Sequence, residues 1–240
     1  MTNERIEEDA SGTILFDGAR VPQVDAHWFL ADYWRARGGL RVQSGGRGGV
    51  SFIDTPAGVA ALRHYRRGGM VAKLFGDRYL WTGRDRTRSV REFRLLAELM
   101  RRGLPVSPPL ASRYVRHGMR YTADLITLAI PGASTLADQV ACGEFDVALA
   151  GRVGELVARF HREGVWHADL NAHNVLLNQQ GLHLIDFDRG QLRTPAQGWR
   201  RGNLQRLKRS LIKVGAGRQP AFEATQWPAL IDHYERAFAA

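Results

Sequence analysis

Four polar residues, His167, Asp169, Asn174 and Asp186, lie within residues 166–190 at a spacing that suits phosphoryl transfer. Moving the terminal phosphoryl group of ATP asks little covalent chemistry of a protein. It requires an aligned acceptor hydroxyl and a Mg²⁺ ion that absorbs the developing charge. The Asp169 carboxylate can meet the hydroxyl, and the side-chain oxygens of Asn174 and Asp186 are hard ligands of the kind Mg²⁺ takes.

Local elements must bring these groups together. Residues 167–174 are polar and irregular, residues 175–177 read as a short apolar strand, residues 178–181 as a turn, and residues 182–187 as a second strand. A hairpin of this kind carries Asn174 toward Asp186, with Asp169 one loop earlier. A single Asp at a strand end is usually a turn former that bonds its own backbone. The signal is the conjunction of His167-x-Asp169-x-x-x-x-Asn174 with Ile185-Asp186-Phe187. Upstream, Leu149, Val153, Leu156, Val157 and Phe160 recur at helical spacing over residues 145–163, and Gly164 ends the pattern. That stripe reads as core behind the polar loop.

The N-terminal half offers candidate phosphate ligands. Residues 40–42 and 50–53 read as strands joined by the glycine run 45–49, in which Gly46 and Gly48 would let backbone N–H groups approach phosphates. By itself the run is a weak signal, for which an ordinary hairpin loop is the default reading. Val59-Ala60-Ala61-Leu62-Arg63 resembles a strand that ends in a phosphate-binding cation, with Arg63 in place of lysine. Arginine grips phosphate with a planar fork, a different geometry from lysine. Lys73, in Met70-Val71-Ala72-Lys73-Leu74, is the rival. Residues 88–102 read as a helix with Val90, Phe93, Ala97 and Met100 on one stripe, closed by Gly103 and Pro105. Glu92 lies beside that stripe, where it can pair with Arg63 or Lys73, or form only weak exposed pairs with neighbouring arginines.

These motifs, together with residues 62–69, resemble the 3-deoxy-D-manno-octulosonic acid (Kdo) kinases, which belong to the lipopolysaccharide core sugar kinases, over about residues 45–211. The resemblance implies an α+β, two-lobed, protein-kinase-like fold, with an N-terminal antiparallel sheet lobe and a mainly helical C-terminal lobe. The lobes are expected over residues 1–128 and 135–240, with a hinge at 129–134 where Pro131-Gly132 breaks the strand. The implied activity is ATP- and Mg²⁺-dependent phosphorylation of the 4-hydroxyl of Kdo on the glycolipid Kdo-lipid IVA, at the cytoplasmic side of the inner membrane. Asp169 would be catalytic, Asn174 and Asp186 would bind metal, and Gly46, Gly48, Arg63, Lys73 and Glu92 would form the nucleotide side. A different small-molecule acceptor, or a catalytically silent glycolipid-binding protein on the same fold, would share these motifs.

Departures from the protein-kinase pattern narrow the expectation. Ala168 replaces an Arg that in many protein kinases answers to a phosphorylated loop, so such regulation is not expected. Asp188 replaces a Gly, as a third carboxylate near the metal or as a turn former. The 54 residues after Asp186 (240 minus 186) are too few for a large peptide-binding region, so a protein acceptor is not expected.

Bulk properties complete the reading. Hydrophobic content of 44% over 240 residues supports a real core. One cysteine, Cys142, precludes an intramolecular disulfide and reads as a small packing residue. No signal-peptide pattern or membrane-spanning run is present, so the chain is expected neither to be exported nor to span a bilayer. The net charge of +10 asks for an acidic partner. Zinc-finger, RRM and basic-zipper patterns are missing, so nucleic acid is not expected; an anionic membrane surface or a phosphorylated glycolipid fits better. Leu204, Leu207, Leu211 and Val214 mark one face of a C-terminal helix crowded by Arg200, Arg201, Arg206, Lys208, Arg209 and Lys213. That helix reads either as an element that lies at an anionic membrane or grips the acidic head group of a glycolipid, or as an ordinary helix with a solvated basic face.

Overall fold

Apolar runs that alternate with polar residues build the first half of the chain into one sheet. The structure, a computed structural model, describes residues 2–10, 12–44, 50–66 and 77–240, with the backbone alone at 42–44. Gly46, Gly48 and Lys73 therefore lie outside the described residues. Two units are resolved by their internal contacts: Met1–Arg102 with Ser107–Ala129, and Gly103–Val106 with Ile130–Ala240.

In chain order the first unit contains β1 (Glu4–Asp9), β2 (Gly12–Asp17), α1 (Ala31–Ala36), β3 (Leu40–Ser44), β4 (Val50–Thr55), β5 (Gly58–His64), β6 (Tyr79–Leu80), α2 (Arg88–Arg101), β7 (Pro109–His117) and β8 (Arg120–Leu128). The strands form an antiparallel sheet in the order β1-β2-β7-β8-β5-β4-β3, with β6 also paired to β8. Alternation along β5 sends neighbouring side chains to opposite faces. Leu62 joins Ile14, Phe16, Ile53, Leu110 and Ile126 in a core lidded by Trp28, Phe29 and Trp34. Arg63 turns to the other face, where α2 packs on β7 and β8. The buried stripe of α2 is Ser89, Val90, Glu92, Phe93, Leu96 and Leu99. It is rotated from the expected one, so Ala97 and Met100 fall at its margin and Glu92 falls inside it.

The acidic segment at residues 4–9 gave no strand signal, because every one of its side chains is exposed. It is nevertheless an edge strand paired with β2. Arg94 reaches Glu4 at 2.8 Å and Arg84 reaches Glu8 at 2.7 Å, and the charges keep the edge from pairing further.

The second unit runs β9 (Ser134–Thr135), α3 (Leu136–Ala141), α4 (Val147–Arg162), β10 (Val165–Trp166), β11 (Val175–Asn178), β12 (Gly181–Leu184), β13 (Gln191–Leu192), α5 (Gln197–Lys213) and α6 (Trp227–Ala239). Asp146 caps α4 by accepting from the Leu149 N–H at 2.7 Å, and the left-handed Gly164 closes it. Helix α4 lies along α6, which the sequence reading did not anticipate. Their closest approach is at Gly154, where any side chain would run into the Leu230 carbonyl. On α5, Leu204, Leu207 and Leu211 are buried within the unit. The apolar face of this helix is thus used in packing, and Arg201, Arg209 and Lys213 remain exposed alongside Gln205 and Ile212. Cys142 is exposed at the end of α3 and is not the packing residue the sequence suggested, because that helix buries Leu136, Ala137 and Val140 instead.

Gly154→Ala is expected to force α4 and α6 apart and to lower stability by about 1–3 kcal/mol, measured as a reduced urea midpoint. An unchanged midpoint would show that the close helix contact does not limit the packing.

Candidate active site

The loop from His167 to Asn174 is short and polar, and many of its backbone groups find side-chain or backbone partners. His167 is buried. Its Nε2–H donates to the Ile185 carbonyl at 2.9 Å, and its Nδ1 accepts from the Asp169 N–H at 3.1 Å. Those two bonds fix one neutral tautomer, and burial holds the imidazole below its usual pKa. The ring also rests on Phe187, with centroids 4.7 Å apart. The residue thus ties the loop to the segment after β12 on which Asp186 sits.

Helix α5 holds the loop from below. Asn203 donates from Nδ2 to the His167 carbonyl at 2.9 Å and accepts at Oδ1 from the His167 N–H at 3.3 Å. Ser210, two turns on, accepts from the Ala172 N–H at 3.0 Å. Asn203 belongs to a buried network. His161 Nε2 donates to its Oδ1 at 3.3 Å, His161 Nδ1 accepts from the Tyr234 hydroxyl at 2.9 Å, and Arg200 donates to that hydroxyl at 3.0 Å. Desolvation lowers the His161 pKa to about 4, which keeps it neutral.

The hairpin supplies the remaining groups. Val175 pairs with Leu184, and the Ile185 N–H donates to the Asn174 carbonyl at 3.0 Å, so Asn174 lies one residue out of register from Asp186. Asn174 Nδ2 donates to the Asp169 carbonyl at 3.0 Å, which directs the amide oxygen the other way. Asp186 adopts a left-handed backbone, with φ 62°. This explains why β12 stops at Leu184 although alternation predicted a strand to 187. A non-glycine residue in this conformation costs about 1–3 kcal/mol and is retained where surrounding structure demands it. An amide oxygen and a carboxylate are hard donors that fit Mg²⁺. Among the described residues no group of three or more His, Cys, Asp and Glu side chains is placed to hold a metal ion.

The first unit carries the other constellation. Arg63 Nη2 lies 2.5 Å from Glu92 Oε2, and the Tyr65 hydroxyl donates to the same oxygen at 2.5 Å. Glu92 is only 3% exposed, so the reading of it as a surface residue in weak ion pairs is wrong. Burial and the neighbouring Glu92 charge push the Tyr65 phenol well above its usual pKa, so it stays a neutral donor.

Sequence reasoning missed Asn203, His161, Tyr234 and Asn171. Asn203 and Ser210 share a helix face at a seven-residue spacing with Leu207 between them. A polar pair on an apolar stripe was the available signal, and it was hidden by the arginines around it.

The profile of the lipopolysaccharide kinase (Kdo/WaaP) family matches residues 31–234. Proteins named 3-deoxy-D-manno-octulosonic acid kinase are similar over most of the chain. One from Xylella fastidiosa (strain 9a5c) is 51% identical, covering 87% of this chain and 83% of its own. Another, from Xanthomonas euvesicatoria pv. vesicatoria (strain 85-10), is 47% identical over 95% and 91% of the two chains. A solved structure of WaaP in complex with acyl carrier protein superposes with a TM-score of 0.57 at 16% identity, covering 86% of this chain and 82% of that one. Fold and relatives together define a phosphotransferase of kinase-like α+β architecture that acts on a hydroxyl group. This chain belongs to the lipopolysaccharide kinase (Kdo/WaaP) family, the kinases of lipopolysaccharide core sugars, for which ATP is the implied phosphoryl donor.

Two variants test the support of the loop. Asn203→Ala leaves a buried N–H and carbonyl of His167 unpaired, and is expected to cost about 2–4 kcal/mol together with turnover; equal stability to wild type would dismiss the clamp. For His161, the unfolded chain takes up a proton below about pH 6.5, whereas the folded state resists until about pH 4. The folded state binds fewer protons in that window, so stability falls as pH is lowered through it. The loss is on the order of 3 kcal/mol, and urea unfolding of His161→Gln should show a flatter pH dependence. Parallel curves for the two proteins would refute this assignment.

Proposed function

We propose that this protein transfers the γ-phosphoryl group of ATP to the 4-hydroxyl of Kdo on Kdo-lipid IVA. The observation that carries the reading is the state of Asp169. Hydrogen bonds to Ile185, Asn203 and Ser210 anchor the loop around it, while its own side chain remains 53% exposed. The names of the relatives, which cover nearly the whole chain, support an octulosonic acid sugar as acceptor.

Asp169 aligns the acceptor hydroxyl and accepts its proton. The acceptor oxygen attacks the γ-phosphorus in line, a new P–O bond forms, the bond to the β,γ-bridging oxygen breaks, and ADP leaves with that electron pair. Asn174 and Asp186 would hold Mg²⁺, which supplies charge neutralisation at the phosphates. His167 is a positioning residue: with both ring nitrogens engaged, it fixes Asp169 relative to the Asp186 segment. Arg63, oriented by Glu92 and Tyr65, is assigned to the ATP phosphates. Gly46 and Gly48, with Lys73 as a further cation, are assigned to the nucleotide on sequence alone.

No helix among the described residues is long and apolar enough to cross a membrane. Arg201, Arg209 and Lys213 on α5 form an exposed basic face suited to the anionic cytoplasmic surface of the inner membrane, where this substrate would be met.

Kdo-bearing lipid A precursor incubated with protein, ATP and Mg²⁺ is expected to gain one phosphate, about 80 mass units. Asp169→Ala should slow this gain by about 100- to 10,000-fold while leaving the thermal midpoint in place. Undiminished turnover in that variant would remove Asp169 from the mechanism. Absence of a phosphorylated product with wild type would remove the acceptor.

A further inference from the structure

Asn203 and Arg206 stand three residues apart on α5, and so project from neighbouring positions on one side of the helix. While Asn203 clamps His167, Arg206 Nη1 donates to Asp169 Oδ1 at 3.0 Å. The other carboxylate oxygen, Oδ2, accepts from Asn171 Nδ2 at 3.1 Å. Both members of the ion pair are open to solvent, Arg206 at 47% and Asp169 at 53%. A pair this exposed adds little to stability. Holding the fold together therefore does not account for an arginine at this position.

What the pair does achieve is orientation. A guanidinium presents five N–H donors in a rigid plane, and Asp169 engages one nitrogen of this one. The remaining donors lie beside the carboxylate assigned to the acceptor hydroxyl, in a geometry that matches a carboxylate or phosphate. We propose that Arg206 is a specificity-determining residue that binds the acceptor's own carboxylate while Asp169 receives its hydroxyl. An acidic sugar is then gripped at two points by one ion-paired unit, and a neutral sugar at one. This inference rests on the function proposed above, in which Asp169 meets the acceptor. The shared anion chemistry has a second source, the phosphoryl group in transit, which the kinetics separate.

The experiment is steady-state kinetics of wild type, Arg206→Gln and Arg206→Lys on two acceptors: Kdo-bearing lipid A precursor, and its analogue with the sugar carboxylate replaced by a neutral primary amide. On the acid, Arg206→Gln is expected to raise the acceptor KM by about 10- to 100-fold, the loss expected for a charge-assisted hydrogen bond. The KM for ATP should stay within about twofold of wild type. On the amide, wild type and Arg206→Gln should become nearly equal, because the charge that Arg206 recognises is gone. Arg206→Lys should recover part of the acid activity, since it keeps the charge but not the fork. An equal loss on acid and amide overturns the proposal and leaves Arg206 acting on Asp169 alone. A loss expressed in the KM for ATP overturns it in favour of the phosphoryl group. Wild type that phosphorylates neither acceptor brings down the underlying acceptor assignment as well, an outcome distinct from the others because wild type itself is silent.

Discussion

The second unit is organised around the burial of a neutral histidine. His167 has no contact with water through which to satisfy its ring or its backbone, so each polar group must find a protein partner. Ile185, Asp169 and Asn203 provide them. These partners come from the segment after β12, from the loop itself and from α5. One side chain thereby fixes three pieces of chain that are far apart in sequence. Removing any partner would leave a buried group unpaired, at about 1–3 kcal/mol, so the arrangement is strongly specified.

The partner of His167 is itself supported. Asn203 uses its amide nitrogen on a carbonyl and its amide oxygen on two donors, the His167 N–H and His161. That assignment fixes the amide orientation and, through it, the tautomer of His161. Tyr234 and Arg200 then complete the chain of donors, and α6 is drawn in through Tyr234. Helices α4, α5 and α6 each contribute to the network. The apolar packing of these helices and the placement of the polar loop are therefore one problem with one solution.

Much of this was legible in the sequence, and what was illegible has a common cause. The spacing of His167, Asp169, Asn174 and Asp186 reported the hairpin, and the stripe on α4 was read correctly because both signals are local. Edge strand β1 was hidden because an all-exposed strand has no alternation to detect. The stripe of α2 was misplaced by one position because Glu92 is charged, and a rule that keeps charges outside shifts the apparent face toward Ala97 and Met100. The partnership of Asn203 with His167 spans 36 residues and was invisible to any local pattern. The basic residues of α5 divide in a way no local pattern reports: Arg200 enters the buried network and Lys208 pairs with Glu223 at 2.8 Å, while Arg201, Arg209 and Lys213 stay exposed.

Two arginine–carboxylate pairs in this chain illustrate how burial decides what an ion pair is for. Glu92 is buried, and it receives Arg63 and the Tyr65 hydroxyl on one oxygen. Withdrawing the guanidinium would strand a charge in a low-dielectric setting, at about 3–5 kcal/mol. That pair is a fixture, able to present Arg63 in a constant place but unable to release it. Asp169 and Arg206 meet at a similar separation in open solvent, where water can replace either partner at little cost. In the catalytic role proposed for Asp169 the carboxylate must exchange partners in every cycle, and a buried pair there would oppose turnover. The exposed pair leaves both partners open to an arriving acceptor, and this difference in burial matches the difference in the tasks proposed for the two arginines.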